Sequence, residues 1–279
     1  MPLPQGTSQR VRVSDDLTLH YEEAGTGNRV ILFVPGWTMS TAVFSEQLSF
    51  FADSAEYRFL TYDPRGQGLS TKSAAGHFYE QHGRDLNGLI EALELDKIVL
   101  GGWSAAGLTV LSYIHQFGAD RLSGLILIDA APRWKGADNS TEWVNYRYDD
   151  ADGAEEHFTM GPLRDREKLN REIACWMLED PSPESIAWIR DISNHTSDTV
   201  AALLNATGGF LDYRAELMRL EGRIPFLYVV REDLGDIVAN WAKNYTPGAG
   251  VAAFGKHLMF RDRAEEFNSI LYEYLKKLE

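Results

Sequence analysis

The stretch VLGGWSAAGLTV, residues 99–110, changes character at a single serine. Before Ser104 it is a short apolar run typical of a buried strand, and after it apolar residues continue at helical spacing. Gly102 and Ala106 stand two positions before and two positions after the serine. Small residues at these positions suit a very sharp strand-to-helix turn, because neighbouring side chains almost touch in such a bend. The stretch therefore predicts a strand, a sharp turn at Ser104 and a helix.

A serine in such a turn has two interpretations. In the first, Ser104 is only a small turn residue, because serine next to glycine is common in ordinary turns. In the second, the turn presents Ser104 as a nucleophile close to a helix N-terminus. The rest of the chain decides between the two.

Apolar runs rich in Val, Ile, Leu and aromatic residues recur along the chain and are the predicted strands. They lie at 10–13, 17–22, 30–34, 57–62, 97–101, 124–128, 225–230 and 250–254. From the third run onward, helix-length segments separate most of them, at 41–52, 77–95, 105–117 and 262–277. Runs such as VILFV are apolar on both faces, as expected of parallel strands covered by helices. We therefore predict an α/β fold with a mostly parallel, eight-stranded sheet flanked by helices.

The alternation of strands and helices stops between about Pro132 and Arg214. This stretch is predicted to be helical, with one helix that Ser182 caps and Pro183 begins. It contains four of the seven tryptophans, Trp134, Trp143, Trp176 and Trp188. We predict a core formed by residues 1–131 and 215–279, with residues 132–214 inserted as a helical cap.

The composition limits the classes of partner. The 279 residues carry a formal net charge of −14, whereas nucleic acids and anionic membrane surfaces attract basic proteins. No segment approaches the ~18 apolar residues of a membrane span, and the first residues, MPLPQGTSQRVRVSDD, contain no apolar signal-peptide core. Cys175 is the only cysteine, so no internal disulfide is expected. We expect a cytoplasmic protein whose partner is a small-molecule substrate rather than nucleic acid or membrane.

Three further stretches favour the nucleophile. VILFVPGWTMS places a Gly-Trp turn after the third predicted strand, and TYDPRGQGLS, residues 61–70, contains Asp-x-Arg-Gly-x-Gly-x-Ser after the fourth. FGKHLMF places His257 between the eighth strand and the last helix. With the turn at Ser104, these motifs resemble the α/β-hydrolase fold family in order and at similar intervals, over all of the chain except the cap.

The resemblance implies a role for several residues. Ser104 would be the nucleophile, and His257 would be the general base that later returns the proton to the leaving group. The backbone N–H groups of Ala105 and Trp37 would form the oxyanion hole. The family usually has His-Gly where this chain has Pro-Gly before Trp37. Because the donor is a backbone amide, we expect the hole to persist.

The third member of the triad departs from the family pattern. It usually follows the seventh strand in a Gly-x-x-Asp turn, and in PFLYVVREDLGD that spacing puts Arg231 at the glycine and Leu234 at the acid. Asp233 lies one residue early and Asp236 two residues late. Asp129, after the sixth strand, is another candidate. Because a turn shortened by one residue is the smallest adjustment, Asp233 is the predicted acid, and the other two remain open.

The leading hypothesis for function is a serine hydrolase that cleaves an uncharged ester, lactone or thioester through an acyl-enzyme. We expect four tryptophans to contact an apolar or aromatic group of the substrate: Trp103, Trp134, Trp143 and Trp176. If the acidic stretch 148–158 lies at the entrance, it disfavours anionic substrates. With no metal-ligand spacing and no phosphate-binding glycine loop, no metal and no cofactor are predicted. Two alternatives stay open: a cofactor-independent haloperoxidase or perhydrolase with the same triad, and a non-catalytic binding protein on a former hydrolase scaffold.

Overall fold

The computed structural model of the chain describes residues 7–278. Within this range an eight-stranded sheet and a two-stranded sheet are formed. The strands are β1 (Thr7–Ser14), β2 (Leu17–Ala24), β3 (Arg29–Val34), β4 (Tyr57–Tyr62), β5 (Ile98–Trp103), β6 (Leu122–Ile128), β7 (Lys135–Gly136), β8 (Tyr146–Arg147), β9 (Phe226–Val230) and β10 (Gly250–Ala253). β7 and β8 form the small sheet, and the other strands form the large one.

The helices connect the strands and fill a long segment between β6 and β9. They are α1 (Ser45–Phe51), α2 (Tyr79–Ala92), α3 (Ala106–Phe117), α4 (Ala154–Arg164), α5 (Arg166–Met177), α6 (Pro183–Ser193), α7 (Asp198–Gly208), α8 (Arg214–Leu220), α9 (Gly235–Tyr245), α10 (Met259–Asp262) and α11 (Ala264–Leu275). None of these helices, which belong to residues 7–278, combines the length and apolarity needed to cross a bilayer.

The large sheet has the strand order β1-β2-β4-β3-β5-β6-β9-β10. β1 pairs with β2, and β2 with β4, in antiparallel fashion, and every pairing from β4 to β10 is parallel. The predicted fold class, a mostly parallel sheet of eight strands, is therefore confirmed. β5, which ends next to Ser104, lies in the interior of the sheet, so its carboxyl end meets those of its parallel neighbours.

Two consecutive residues of β3 show how helices cover both faces of the sheet. Leu32 belongs to a buried cluster that includes Leu89 of α2. Phe33 belongs to a second cluster on the opposite face, where its ring centroid lies 5.1 Å from that of Phe59 and 6.4 Å from that of Phe267 in α11. A strand buried on both faces explains why the run VILFV contains no polar residue.

Residues 132–214, predicted to be a cap, contain β7, β8 and helices α4–α7. α6 begins as predicted, because the Ser182 hydroxyl accepts a hydrogen bond from the Ser185 backbone N–H at 3.2 Å and Pro183 is the first helical residue. Trp143 packs against two core rings, those of Tyr228 and Trp241, at centroid distances of 5.1 and 5.2 Å. Trp143 thus packs the segment 132–214 against the rest of the chain. The division into core and cap stays a prediction.

The motif at residues 61–70 organises the end of β4. Asp63 is fully buried, and its carboxylate accepts hydrogen bonds from the backbone N–H groups of Thr41 at 2.7 Å and Leu69 at 2.6 Å, and contacts Nδ1 of His20 at 2.9 Å. Gly68 has a φ of +45°, and a Cβ there would lie 2.2 Å from the Asp63 carboxyl carbon. The glycine is therefore required by the turn that closes around the carboxylate.

Replacing this carboxylate should destabilise the fold. Asp63→Ala leaves two backbone N–H groups, one of them buried, and a buried imidazole without their acceptor, so we expect the free energy of unfolding to fall by about 3–5 kcal/mol. Urea denaturation measures this change. Asp53→Ala, which removes an exposed carboxylate, should stay within about 0.5 kcal/mol of the parent. A loss below about 1 kcal/mol in Asp63→Ala would contradict the structural role of the motif.

Candidate active site

Ser104 lies on the sharp turn between β5 and α3. Its φ is +57°, in the left-handed region that costs energy for a residue with a side chain. Its backbone N–H donates to the Ile128 carbonyl at 2.8 Å, which ties the turn to β6. A Cβ at Gly102 would lie 2.8 Å from the Ala106 carbonyl oxygen. The bend therefore requires the small residue that the sequence has there, and the strained turn holds the serine side chain at the surface of a cavity.

The loop after β3 approaches the serine closely. A Cβ added to Gly36 would lie 3.0 Å from Cβ of Ser104, so glycine allows this approach. The next residue, Trp37, and the residue after the serine, Ala105, both line the cavity next to Ser104. Within residues 7–278 neither of their backbone N–H groups donates a hydrogen bond. The two amides predicted as an oxyanion hole are therefore free donors on the cavity that contains the serine.

The loop that contains Trp37 also contacts helices of the predicted cap. The indole N–H of Trp37 donates to the Ala201 carbonyl in α7 at 2.8 Å, and the guanidinium carbon of Arg166 lies 5.6 Å from the centre of one of its rings. The hydroxyls of Thr38 and Ser193 are 2.9 Å apart, and Thr38 itself has a φ of +60°. Contacts with cap helices thus hold a strained segment of the loop in place.

His257 lies in the loop between β10 and α10 and is almost completely buried. Its Nδ1 is hydrogen-bonded to Oδ2 of Asp129, the residue directly after β6. Nη1 of Arg231 donates to the same oxygen at 3.2 Å. Burial opposes ionisation of the Asp129 carboxyl. Its electrostatic attraction to His257, the hydrogen bond between them and the charge of Arg231 outweigh burial, so the pKa of Asp129 lies below the ordinary value. The structure thus contains a histidine paired with a buried, ionised carboxylate.

The carboxylate next to the histidine is not the one that the sequence analysis chose. Asp233 is exposed, and its Oδ1 pairs with Nε of Arg231 at 2.8 Å. Residues 232–234 form a 3₁₀ turn on the solvent side, so the turn after β9 does not bring a carboxylate inward. Asp236 is likewise exposed, in the first turn of α9. Among residues 7–278, Asp129 alone of the three candidates hydrogen-bonds His257.

Two indole rings contact the imidazole. The Trp103 N–H donates to the backbone carbonyl of His257 at 3.0 Å, and the ring centroids are 5.1 Å apart. The Trp176 ring centroid lies 4.4 Å from that of the imidazole, from the cap side. These contacts fix the orientation of His257. Its other ring nitrogen, Nε2, has no hydrogen-bond partner within residues 7–278, and neither does the Ser104 hydroxyl, although both residues line the same cavity.

The cavity above Ser104 has a volume of about 450 Å³. All four tryptophans predicted to contact the substrate line it, namely Trp103, Trp134, Trp143 and Trp176, as does Trp37. The cap contributes two carboxylates, Asp152 and Glu172, and the predicted acidic stretch therefore reaches the cavity. Within residues 7–278 no cluster of three or more His, Cys, Asp or Glu side chains has the arrangement of a metal site.

Comparisons with known proteins agree with this architecture. Residues 29–162 match the family model of the α/β hydrolase fold. Over 118 residues, 42% of either chain, this chain is 31% identical to the non-heme chloroperoxidase CPO-A1 of Kitasatospora aureofaciens. It is 33% identical to the serine hydrolase BPHL of Mus musculus over 148 residues, which cover 49% of this chain and 50% of the relative. The chain thus spans half or less of the length of these relatives.

A solved structure covers nearly the whole chain. An esterase from Exiguobacterium antarcticum superposes with a TM-score of 0.84 and 23% identity, over 97% of this chain and all of the esterase. This similarity concerns the fold. Together with the match over residues 29–162 and the topology of the sheet, it shows that the chain has the α/β-hydrolase fold.

Proposed function

We propose that this protein is a serine hydrolase that cleaves uncharged carboxylic esters, lactones or thioesters with an apolar or aromatic group. The observation that carries the proposal is the convergence on one cavity of a strained serine, a histidine paired with a buried carboxylate, and two free backbone donors. Ser104 would be the nucleophile, His257 the base and Asp129 the acid.

The geometry supports the following sequence of steps. Oγ of Ser104 attacks the acyl carbon while Nε2 of His257 takes its proton. The carbonyl oxygen becomes an oxyanion, which the N–H groups of Trp37 and Ala105 stabilise. Collapse of this intermediate breaks the bond to the leaving group, which receives the proton from His257. A water molecule, deprotonated by His257, then attacks the acyl-enzyme. This step releases the carboxylic acid product, and the proton returns to Oγ of Ser104. Asp129 keeps a proton on Nδ1, which leaves Nε2 free to act as the base.

The Ser104–His257 hydrogen bond is the contact that binding of a substrate must complete. Catalytic hydrogen bonds are often long or misaligned without substrate and form only in the complex. Trp176 of the cap packs directly on the imidazole, so a substrate that fills the cavity also contacts the ring that orients the base. The proposed reaction therefore depends on the cap as well as on the triad.

The lining of the cavity supports the substrate class. Five indole rings offer a large apolar surface, whereas Asp152 and Glu172 add negative charge on the cap side. An aromatic acyl group gains from burial against such rings. A substrate carboxylate would be repelled by the acidic side chains. The chain is also strongly acidic as a whole, with a net charge of −14.

A second candidate is a cofactor-independent perhydrolase or haloperoxidase that uses the same triad. The similarity to a protein named non-heme chloroperoxidase favours it. In this reaction hydrogen peroxide, rather than water, would attack the acyl-enzyme and release a peracid. Turnover that requires both peroxide and a short acyl donor, and that exceeds hydrolysis at equal acyl-donor concentration, would favour this candidate. The large aromatic cavity favours hydrolysis of bulkier substrates.

The nucleophile is tested by Ser104→Ala. The turn accepts alanine, so we expect the fold to persist while kcat/KM for a nitrophenyl ester falls by at least about 10³-fold. A fluorophosphonate probe should label the parent at Ser104 and leave the variant unlabelled. The control is Ser140→Ala, which removes an exposed cap serine. A parent that neither turns over esters nor reacts with the probe would indicate a non-catalytic binding protein instead.

The acid is tested by comparing two amides. Asp129→Asn can donate to Nδ1 and so favours the wrong tautomer of His257, which should lower kcat by about 10⁴-fold. Asp233→Asn changes an exposed carboxylate and should stay within about twofold of the parent. Both are measured with the same ester at the same pH. Equal losses, or a larger loss in Asp233→Asn, would contradict the assignment of Asp129.

The cavity is tested with a panel of nitrophenyl esters. We expect kcat/KM for benzoyl or longer acyl groups to exceed that for acetyl by at least about tenfold, because each added apolar group is buried. Esters with a carboxylate on the acyl group should react more slowly than their neutral analogues. Glu172→Gln should reduce this discrimination, whereas Glu167→Gln, on the exposed face of the same helix, should not. A preference for acetyl or anionic esters would contradict the proposal.

A further inference from the structure

Arg231 is not a member of the proposed triad, but it contacts one of its residues. It follows β9 directly, and its side chain is only 25% exposed. Nη1 donates to Oδ2 of Asp129 at 3.2 Å, and Nε pairs with Oδ1 of Asp233 at 2.8 Å. Its guanidinium carbon lies 5.4 Å from the centre of a ring of Trp176, which in turn contacts His257. A single cation therefore touches the acid and the ring that orients the base.

The two carboxylate oxygens of Asp129 differ in their number of partners. Oδ2 interacts with both Nδ1 of His257 and Nη1 of Arg231. Oδ1 is buried and has no hydrogen-bond partner within residues 7–278. Burial of a carboxylate with so few partners strongly disfavours its ionised form, and an adjacent positive charge offsets this effect. Arg231 is therefore the second interaction, after His257, that can keep Asp129 ionised and directed at the imidazole.

We propose that Arg231 is a positioning residue of the active site, which keeps the Asp129 carboxylate ionised and aimed at His257 and sets the pH range in which the Asp129–His257 pair is competent as a base. This inference rests on the proposed function, because the pair acts as a base only if Ser104 is the nucleophile. The residue acts through Asp129 and touches no reacting atom.

Other charged groups also surround the pair. Among residues 7–278, those that line the cavity or border the His257 loop include Arg231 and Asp233 after β9, Asp152 before α4, His157 of α4, Glu172 of α5, Glu179 after α5 and Arg263 before α11. Nε of Arg263 donates to Oε1 of Glu179 at 2.6 Å. The carboxylates among them favour an additional proton on the pair, and Arg231 opposes it. Lys256 is next to His257 in sequence, but its ammonium donates to the Leu178 carbonyl at 3.0 Å. Arg231 is thus the cation in direct contact with the acid.

The protonation states are consistent with this role. Burial lowers the pKa of Arg231, but the charges of Asp129 and Asp233 outweigh burial and raise it above the ordinary value. The guanidinium is therefore always charged. Removing it makes the surroundings of the Asp129–His257 pair more negative. The pair should then hold its additional proton to higher pH, and the proton must be lost before His257 can act as a base.

The test compares the pH dependence of kcat and kcat/KM in three variants and the parent. In Arg231→Gln the acid limb should move up by about one pH unit, which lowers activity about tenfold on that limb. Arg231→Lys keeps the charge and should restore the limb to the parent position. Asp233→Asn removes an exposed negative charge and should leave the limb unchanged or move it slightly down. Coincident profiles for Arg231→Gln and the parent, or equal shifts in Arg231→Gln and Arg231→Lys, would overturn the proposal.

A second readout does not depend on activity. The ¹³C-labelled imidazole resonance of His257, assigned by its absence in His257→Gln, is followed against pH in each variant. Its midpoint should move to higher pH in Arg231→Gln and not in Arg231→Lys, and an unchanged midpoint in Arg231→Gln would refute the role of the cation. If the parent lacks esterase activity and probe labelling, the proposed hydrolase function has failed, whereas the titration still decides whether Arg231 controls the pair.

Discussion

The site depends on a register constraint at the carboxyl ends of three parallel strands. Trp103 of β5 pairs with Ile128 of β6, which pairs with Val229 of β9. The residues that directly follow β5 and β6, Ser104 and Asp129, both have φ values in the left-handed region, +57° and +45°. Their backbone N–H groups donate to the carbonyls of the adjacent strand at 2.8 and 2.7 Å. The sheet thus fixes Ser104 and Asp129 at one level, and these hydrogen bonds help to hold both residues in their strained conformations.

The segment predicted as a cap, residues 132–214, contacts two parts of the candidate site. It contacts the loop of the proposed oxyanion hole through the indole N–H of Trp37 and the hydroxyl of Thr38, and it contacts the proposed base through Trp176. A backbone N–H in a loop keeps a fixed position and direction only when other contacts restrict the loop. Any displacement of cap helices therefore changes the donor and the base together.

The sequence predicts the sheet well because buried parallel strands leave apolar runs, and it predicts the turn at Ser104 because only small residues fit around it. The histidine loop follows from its place after the last strand. The predicted acid, Asp233, is exposed and does not contact His257. Spacing along one turn does not show which way that turn faces. The signal for Asp129 was present in LILIDAAP, where a carboxylate ends a fully apolar strand. An acid in such a position must be buried, and a buried carboxylate needs a partner.

The position of Asp129, directly after β6, has an electrostatic consequence. Because Asp129 follows β6 and Arg231 follows β9, the guanidinium reaches across the two strand ends to the same carboxylate oxygen that contacts His257, while Asp233 pairs with it from the solvent side. Four side chains thus contact one another in series from the solvent to the imidazole: Asp233, Arg231, Asp129 and His257. In this series Asp129 and Arg231 each have an oppositely charged neighbour, and that pairing makes an ionised carboxylate tolerable at the bottom of an aromatic cavity.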